Sequence, residues 1–274
     1  MSTDRPVLVT GANSGVGLAT VIALAHAGFR AVGSVRSEAK AATVQAEAAR
    51  AGAEIETVLL DVTDAERCAA VVGELAPLYG IVNNAGYGGV GAIEDVSDDE
   101  VRQRFETMTI APLRLARLAL PGMRASGSGR IVNVSSVYGR ATTALAGWYQ
   151  AAKHALEAAS DALRIEVAAD GVHVTLIEPG GIRTEIWADL EADVQRRSES
   201  RYTTAYERSR DLIRLWQRMM IDPDAAARTI TRALEAKTPR PRYVVGLDAQ
   251  AFTLLSRAAP TWISDRVNRF LLDL

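Results

Sequence analysis

Short apolar segments alternate with segments of helical apolar spacing along most of this chain. The segments with strand composition are 7–10, 31–35, 55–60, 81–82, 130–134, 172–177 and 243–245. The segments with helical spacing are 17–27, 38–51, 101–123 and 149–169, with Gly28 at a helix C-terminal cap position and Gly52 ending the second helix. Repeated strand–helix units predict an α/β fold with one doubly wound parallel sheet, right-handed crossovers and helices on both faces.

Composition sets the size of the fold and excludes several kinds of partner. The chain has 274 residues, and 48% of them are apolar, which suffices for one domain with a large core. We find no linker or repeat and expect a single domain over residues 1–274, with a C-terminal extension over 239–274. The net charge of -2 gives no electrostatic reason to expect a nucleic acid or an anionic membrane as a partner.

Neither a disulfide, a metal site nor a targeting segment is predicted. Cys68 is the one cysteine, and the three histidines are scattered, so we expect no metal. The N-terminal residues lack a basic region followed by an apolar one, and no apolar run approaches the roughly 20 residues that span a bilayer. We therefore expect a cytoplasmic protein without a membrane span.

Residues 185–222 interrupt the alternation, because no strand pattern appears there. The segment carries Trp187, Tyr202, Tyr206 and Trp216, and its acidic residues balance its arginines. A long insertion after a late strand is typical of a helical lid over a ligand, since ligands of α/β sheets bind at the C-terminal ends of the strands. The alternative is a peripheral pair of helices.

A glycine-rich loop follows the first predicted strand and leads into a helix. It reads Thr10-Gly-Ala-Asn-Ser-Gly-Val-Gly17, with the spacing G-x-x-x-G-x-G. Gly11 permits a tight turn, and Gly15 and Gly17 let backbone amides and the helix N-terminus approach a pyrophosphate. Glycines also form ordinary turns, but this position favours a dinucleotide site made by Gly11, Asn13, Ser14, Gly15, Val16 and Gly17.

The end of the second predicted strand indicates which dinucleotide binds. NAD-binding sheets usually place an acid there, to hold the ribose hydroxyls. This strand ends at Val35, and Arg36 and Ser37 follow without an acid. A guanidinium at that position suits a 2′-phosphate, so we predict NADP(H) as the cofactor. The alternative is that Arg36, one of 28 arginines, is an ordinary surface residue.

Three residues form a candidate catalytic group. Tyr149 and Lys153 are four residues apart in a predicted helix and therefore share one face, one turn apart. An ammonium there stabilises phenolate, so we expect the tyrosine pKa to fall from about 10 toward neutrality. Such a tyrosine gives a proton to a carbonyl oxygen as hydride arrives. Ser136 follows the strand 130–134, where its hydroxyl can orient the substrate oxygen. Its alternative role is to cap a turn.

Together these motifs resemble the short-chain dehydrogenase/reductase family along nearly the whole chain. The matching elements, in order, are the glycine loop, Asp61-Val62, Asn83-Asn84-Ala85-Gly86, Ser136, Tyr149-x-x-x-Lys153 and Pro179-Gly180 with Thr184. The resemblance implies a Rossmann-type sheet, contact of Asp61 with the adenine, binding of the nicotinamide ribose by Lys153, and binding of the carboxamide by Ile182 and Thr184. The cofactor cleft it implies is formed by Asp61, Val62, Asn84, Ala85, Gly86, Tyr149, Lys153, Pro179, Gly180, Ile182 and Thr184.

One position departs from the family pattern. Where the family usually has F-E-x-N-V-x-G-P, this chain has Phe105-Glu-Thr-Met-Thr-Ile-Ala-Pro112, with Met108 in place of the asparagine. By resemblance, that asparagine helps to hold a water that relays protons to the lysine, which a thioether cannot do. Thr107 or Thr109 is an alternative holder of that water.

The main hypothesis is an oxidoreductase that transfers hydride between NADP(H) and a carbonyl or alcohol. The 239–274 segment resembles a subgroup near the 17β-hydroxysteroid and retinol dehydrogenases, which implies a bulky apolar small-molecule substrate. A weakly catalytic or non-catalytic NADP(H)-binding sensor or partner protein is the alternative, because of Met108. A lyase or epimerase on the same scaffold is a third hypothesis. The apolar girth of the helix from Tyr149 and the resemblance together predict a homodimer or homotetramer.

Overall fold

A parallel sheet forms the centre of the molecule. The structure is a computed structural model and describes residues 5–184, 190–217 and 220–274. Within them the sheet has seven strands in the order β3-β2-β1-β4-β5-β6-β7, and every pair of neighbours is parallel. The strands are β1 (Pro6–Val9), β2 (Arg30–Val35), β3 (Glu56–Leu59), β4 (Gly80–Asn83), β5 (Gly129–Val134), β6 (Val172–Pro179) and β7 (Arg242–Val245).

Helices connect the strands and continue to the C-terminus. Those before β6 are α1 (Gly15–His26), α2 (Glu38–Arg50), α3 (Ala65–Leu75), α4 (Asp98–Phe105), α5 (Ala111–Ala125) and α6 (Gly147–Glu166). Those after β6 are α7 (Leu190–Arg196), α8 (Thr203–Trp216), α9 (Pro223–Glu235), α10 (Leu247–Ala258) and α11 (Thr261–Leu272).

Both faces of the sheet are buried, as its continuous apolar strands require. Helices α1, α2 and α9 cover one face, with Val21, Val44 and Ile230 fully buried against the sheet. Helices α3 and α5 cover the other face, where Val71 and Leu115 pack on Ile81 and Ile131 of the strands. The predicted doubly wound Rossmann-type architecture is therefore confirmed.

The strand order reverses between β2-β1 and β4-β5. Because consecutive connections leave this point on opposite faces, a crevice opens at the C-terminal ends of β1 and β4, where ligands of such sheets bind. The glycine-rich loop follows β1, and the Asn83-Asn84 motif lies at the end of β4. The topology thus brings two of the predicted cofactor motifs to one crevice.

The predicted helix over 101–123 differs from the observed one in its start and in its regularity. Ser97 and Glu100 form a reciprocal capping box, so α4 begins at Asp98. A π-helical turn, Glu106–Ile110, separates α4 from α5, and Met108 lies in it. One extra residue per turn reorients the side chains that follow, and such insertions often occur at functional sites.

The segment 185–222 is mostly helical where it is described, apart from turns at 197–202 and a β-bridge at Ile221. It contains α7 and α8, while residues 185–189 and 218–219, including Trp187, lie outside the described residues. Tyr206 of α8 is fully buried, and its hydroxyl accepts from the Ala92 amide at 2.6 Å and donates to Asp95 at 2.6 Å.

In the described ranges, no helix has the length and apolarity needed to cross a bilayer.

Candidate active site

The glycine loop wraps closely around the end of β4. Gly11 and Gly15 have φ angles of +67° and +53°, which side-chain-bearing residues rarely adopt. A Cβ atom at Gly17 would clash with the Gly11 carbonyl oxygen and lie 2.6 Å from Asn84 Nδ2. Glycine is therefore required at these positions by conformation or by space.

The start of α1 is suited to an anionic group. Ser14 is its N-cap residue but makes no side-chain cap hydrogen bond, so no cap side chain occupies the first amides. The side chain of Thr184 lies beside the loop, because a Cβ atom at Gly15 would be 2.9 Å from its methyl carbon. Open amides at a helix N-terminus, beside close glycine backbone, fit a pyrophosphate.

Thr10 and Asn84 hold the loop against β4. The Thr10 hydroxyl oxygen accepts from the amides of Asn84 and Ala85, both at 3.0 Å. The Asn84 side chain donates to the carbonyl oxygens of Thr10 at 2.9 Å and Gly11 at 3.2 Å. The predicted residues Asn84, Ala85 and Gly86 thus lie beside the glycine loop, as a shared cofactor cleft requires.

A second group of predicted cofactor residues lies at the ends of β2 and β3. Arg36 is exposed directly after β2, and the Ser37 hydroxyl caps α2 by accepting from the Lys40 amide at 3.4 Å. Asp61 accepts from the Thr63 amide at 3.0 Å, and hydrogen bonds from Thr63 and the charge of Arg36 lower its pKa. Val62 is buried in the core beneath them.

The segment after β6 closes the remaining side of the crevice. Pro179 ends β6, and Gly180 donates to the Val245 carbonyl at 3.0 Å. Ile182 is buried and bridges to Ile221. Asp248, a residue that the sequence motifs did not single out, accepts from the Gly181 amide at 2.9 Å and fixes this turn.

Ser136, Tyr149 and Lys153 meet at the C-terminal end of β5. Ser136 is buried and its hydroxyl oxygen accepts from the Tyr138 amide at 3.2 Å, so the capping role is present as well. Tyr149 is half-buried, and the Ser136 hydroxyl is close enough to lower its pKa. Lys153 is buried, and its Nζ atom donates to the Val134 carbonyl at 2.8 Å. One strand end therefore positions all three side chains.

The expected fall in the pKa of Tyr149 is wrong. Burial raises the pKa of Tyr149 to about 12, and the hydrogen bond from Ser136 offsets only part of this effect. The Lys153 ammonium is held by Val134, with Nζ 5.9 Å from the centre of the tyrosine ring. Burial also lowers the pKa of Lys153 to about 8, opposed by the charge of Glu157.

Met108 is fully buried beside this group, with its thioether next to Gly86. The hydroxyl of the neighbouring Thr109 donates to the Ala152 carbonyl at 2.9 Å, one residue before Lys153. The donor of Thr109 is therefore committed to α6, and only its lone pairs remain for a water. Thr107 is half-buried in the same π-helical turn.

Four side chains near Tyr149 were missed by the sequence motifs. Tyr138 packs edge-on against Tyr149 with ring centres 6.5 Å apart, and against Phe252 at 5.8 Å. The Arg104 guanidinium lies 5.6 Å from the centre of the Tyr87 ring. Tyr87 follows the Asn83–Gly86 motif directly, which is a signal that the sequence carried. Arg104 and Phe252 come from distant elements, so only the tertiary structure brings them here.

A buried charged cluster lies behind the lysine. Arg242 of β7 bonds Glu157 at 3.0 Å, Asp161 at 2.6 Å and Glu178 at 3.0 Å. Burial raises the pKa of Glu178, while Arg242 holds the pKa of Asp161 low. Glu157 is four residues after Lys153 and therefore shares its helix face, a spacing that is visible in the sequence but lies outside the motifs.

In the described ranges, no cluster of three or more potential ligands forms a metal site.

Lys153 supplies a testable link between the site and stability. Its folded pKa of about 8 lies below its ordinary value of 10.5, so the folded protein binds fewer protons between these pH values. The cost of burying the ammonium is fully present below pH 8 and is lost as the pH rises toward 10.5. We expect Lys153→Met to raise the free energy of unfolding at pH 7 by on the order of 1–3 kcal/mol, and less at pH 9.5.

Urea denaturation at the two pH values measures this effect. Lys237→Met, at an exposed lysine, is the matched control and should leave the pH dependence unchanged. A Lys153→Met protein that is less stable than the parent at pH 7 would contradict the assignment of a costly buried ammonium.

Comparison with known proteins places this geometry in a family. The family model for short chain dehydrogenase matches residues 5–195. Retinol dehydrogenase 5 of Homo sapiens is 32% identical over 97% of this chain and 88% of its own length. The NADPH-dependent 3-dehydrocapnine reductase of Ornithobacterium rhinotracheale is 31% identical over 98% of this chain and 97% of its own.

A solved structure agrees with these sequence matches. A short-chain dehydrogenase from Streptomyces avermitilis superposes with a TM-score of 0.78, at 32% identity, covering 98% of this chain and 96% of the other. The resemblance drawn from the motifs is thereby confirmed. This chain belongs to the short-chain dehydrogenase/reductase family of oxidoreductases and is similar to its retinol dehydrogenase-like members.

Proposed function

We propose that this protein reduces a carbonyl compound with NADPH, or oxidises the corresponding alcohol with NADP⁺. The observation that carries the proposal is the meeting of Ser136, Tyr149 and Lys153 at the end of β5, beside the glycine loop. A proton donor, a second hydroxyl and a cation then surround one substrate oxygen, next to a cradle for a dinucleotide.

Each side chain has a distinct role in the proposed reaction. The cofactor supplies the hydride when it is bound. Tyr149 donates its proton to the carbonyl oxygen, and a pKa raised to about 12 keeps that proton available at neutral pH. The Ser136 hydroxyl orients the same oxygen. Lys153 retains N–H groups beyond its bond to Val134, and these are free to bind a ribose hydroxyl and to stabilise negative charge on the tyrosine.

Arg36 and Ser37 support a preference for NADP(H). Arg36 is exposed at the end of β2, and Ser37 accepts from a backbone amide while its own proton remains available. A guanidinium and a hydroxyl form a suitable receptor for a 2′-phosphate. The relative from Ornithobacterium rhinotracheale, named as NADPH-dependent, is consistent with this choice.

The remaining expectations about the substrate form part of the proposal. We regard residues 1–274 as one domain, in which the segment 185–222 covers a bulky, largely apolar small-molecule substrate. Tyr138 and Phe252 supply aromatic surface near Tyr149. The non-catalytic alternative based on Met108 is not favoured, since the other three side chains converge. A lyase or epimerase activity stays untested, and the cytoplasmic location stays a prediction.

The cofactor proposal is tested by Arg36→Ala. Loss of one charged hydrogen bond to phosphate is worth about 1.5–3 kcal/mol, so the Kd for NADPH should rise roughly ten- to a hundredfold. The Kd for NADH should stay nearly the same, because it lacks the phosphate. Titration of cofactor fluorescence measures both values. Arg50→Ala, at an exposed arginine of α2, is the control, and equal affinity of the parent protein for both cofactors would refute the preference.

Tyr149 and Met108 are tested by their effects on turnover. We expect Tyr149→Phe to abolish reduction of a good substrate, because it removes the proton donor. Met108→Asn should raise kcat ten- to a hundredfold if a missing water relay limits the parent, which corresponds to about 1.4–2.8 kcal/mol. Met108→Leu keeps an apolar side chain and should leave kcat unchanged.

Oxidation of NADPH followed at 340 nm gives these rates. Full activity of Tyr149→Phe would refute the catalytic assignment as a whole. An unchanged or lower rate in Met108→Asn would instead show that the π-helical turn already supplies the proton, with Met108 as a packing residue.

We also propose that two copies pair through α6. Ala151, Ala155, Ala158 and Ile165 recur at helical spacing on this helix; Ala158 is exposed, and Ile165 is 70% exposed. Small side chains at this spacing allow two helices to approach closely. Light scattering at micromolar concentration should give a dimer or tetramer for the parent, and a smaller species for Ala158→Arg. Ala42→Arg, on the exposed face of α2, is the control, and a monomeric parent would refute the proposal.

A further inference from the structure

Arg104 of α4 is a buried cation that forms no ion pair with the residues that the structure describes. Only 5% of its surface is exposed, and its Nε atom has no hydrogen-bond partner. In the described ranges, the Arg104 guanidinium forms no ion pair and no hydrogen bond. It does form a cation–π contact with the face of the Tyr87 ring. A cation–π contact recovers only part of the cost of removing a guanidinium from water.

The guanidinium lies at the substrate side of the proposed active site. Tyr87 and Gly89, which flank it, belong to the loop that continues from the Asn83–Gly86 motif at the end of β4. A Cβ atom at Gly89 would be 2.6 Å from an Arg104 terminal nitrogen, so the loop approaches the charge closely. The charge also lowers the pKa of Tyr149, which places it within electrostatic reach of the proposed proton donor.

Neighbouring charges do not neutralise Arg104. Asp193 of α7 also flanks Gly89, but it pairs with Arg196 and with Arg197 at 3.5 Å, and it accepts from the Val90 amide at 3.1 Å. Glu100 pairs with Arg197 at 3.5 Å. The available carboxylates are thus shared among other arginines, and this side of the pocket keeps a surplus positive charge.

A buried, unpaired guanidinium is destabilising unless an anion completes its environment. We propose, on the basis of the proposed carbonyl–alcohol chemistry, that Arg104 binds a carboxylate group of the substrate. A guanidinium offers planar pairs of N–H groups that a carboxylate accepts in a bidentate manner. Arg104 is then a specificity-determining residue of the same pocket.

This assignment defines the substrate class more closely. The reacting carbonyl lies at Tyr149, an apolar body contacts the aromatic rings of Tyr138 and Phe252, and a carboxylate lies at Arg104. Such a molecule is an oxo acid, or the hydroxy acid formed by its reduction, with an apolar chain between its two functional groups.

Matched pairs of acids and esters separate this inference from the proposed function. The substrates are 6-oxohexanoate, 9-oxononanoate and 12-oxododecanoate, each beside its methyl ester, with NADPH. For the parent protein, kcat/KM should favour the acid for at least one length. In Arg104→Gln the acid-to-ester ratio at that length should fall roughly ten- to a hundredfold, the value of a charged hydrogen bond.

Two variants of the same helix serve as controls. Arg102→Gln removes the same charge from an exposed position, where Arg102 pairs with Asp98 and Asp99, and should leave the ratio unchanged. Arg104→Lys keeps the charge and should restore part of the preference. Without ligand, the melting temperature of Arg104→Gln should equal or exceed that of the parent, because a costly unpaired charge is removed.

The outcomes distinguish the two hypotheses. Reduction of the esters with no preference for any acid overturns the carboxylate site and leaves the proposed function standing. A preference that Arg104→Gln retains, or a lower melting temperature with an unchanged ratio, assigns Arg104 a structural role and also overturns it. If no aldehyde is reduced, calorimetry measures the Kd of 9-oxononanoate for the NADPH-loaded parent and for Arg104→Gln. A Kd raised at least tenfold by the substitution supports the carboxylate site. Equal Kd values, or no binding to the parent, refute it.

Discussion

The anchoring of α6 on the end of β5 is the constraint on which the proposed site depends. Lys153 bonds the carbonyl of Val134, the last residue of β5, and Asn133 donates to Ser160 of α6 at 2.8 Å. Asn83 of β4 in turn donates to Asn133 at 2.8 Å. Buried polar groups must find partners, so these bonds fix one register of helix on sheet. That register places Tyr149 opposite Ser136.

The charges around this anchor are arranged on two sides of the tyrosine. Behind Lys153, Arg242 is shared by Glu157, Asp161 and Glu178, so negative groups surround one cation and are themselves held in place. On the side of the proposed substrate, Arg104 lacks such partners among the described residues. The charges of the first cluster are paired within the fold, whereas by our proposal the charge of Arg104 is paired by a carboxylate of the substrate. This contrast separates groups that maintain the structure from groups that recognise a substrate.

Local sequence patterns predicted the fold and the conformation of the glycine loop because each depends on short-range chemistry. Gly11 and Gly15 need positive φ angles, and apolar runs of strand length must pair inside a sheet, so both leave a direct record in the sequence. The spacing of Tyr149 and Lys153 likewise predicted a shared helix face. It did not predict the burial of Tyr149, which raises the pKa of that side chain, so the expected fall in the tyrosine pKa is wrong.

What the sequence did not predict arises from tertiary packing. The π-helical turn at Met108 leaves no break in the helical pattern of the sequence. The sequence around Arg104 is rich in charged residues, which predicts an exposed side chain on a surface helix. Its burial follows from the contact of α4 with the loop after β4 and from α7, elements far apart in the chain. The residues that recognise a substrate therefore depend on the assembled pocket more than on any motif.

Isotope transfer tests the central claim most directly. The protein is supplied with NADPH deuterated at one or the other face of nicotinamide C4, together with an aldehyde that it turns over, and the alcohol is examined by mass spectrometry. Direct hydride transfer predicts one deuterium on the carbinol carbon with one of the two labelled cofactors and none with the other. An alcohol without deuterium from either cofactor would contradict the account.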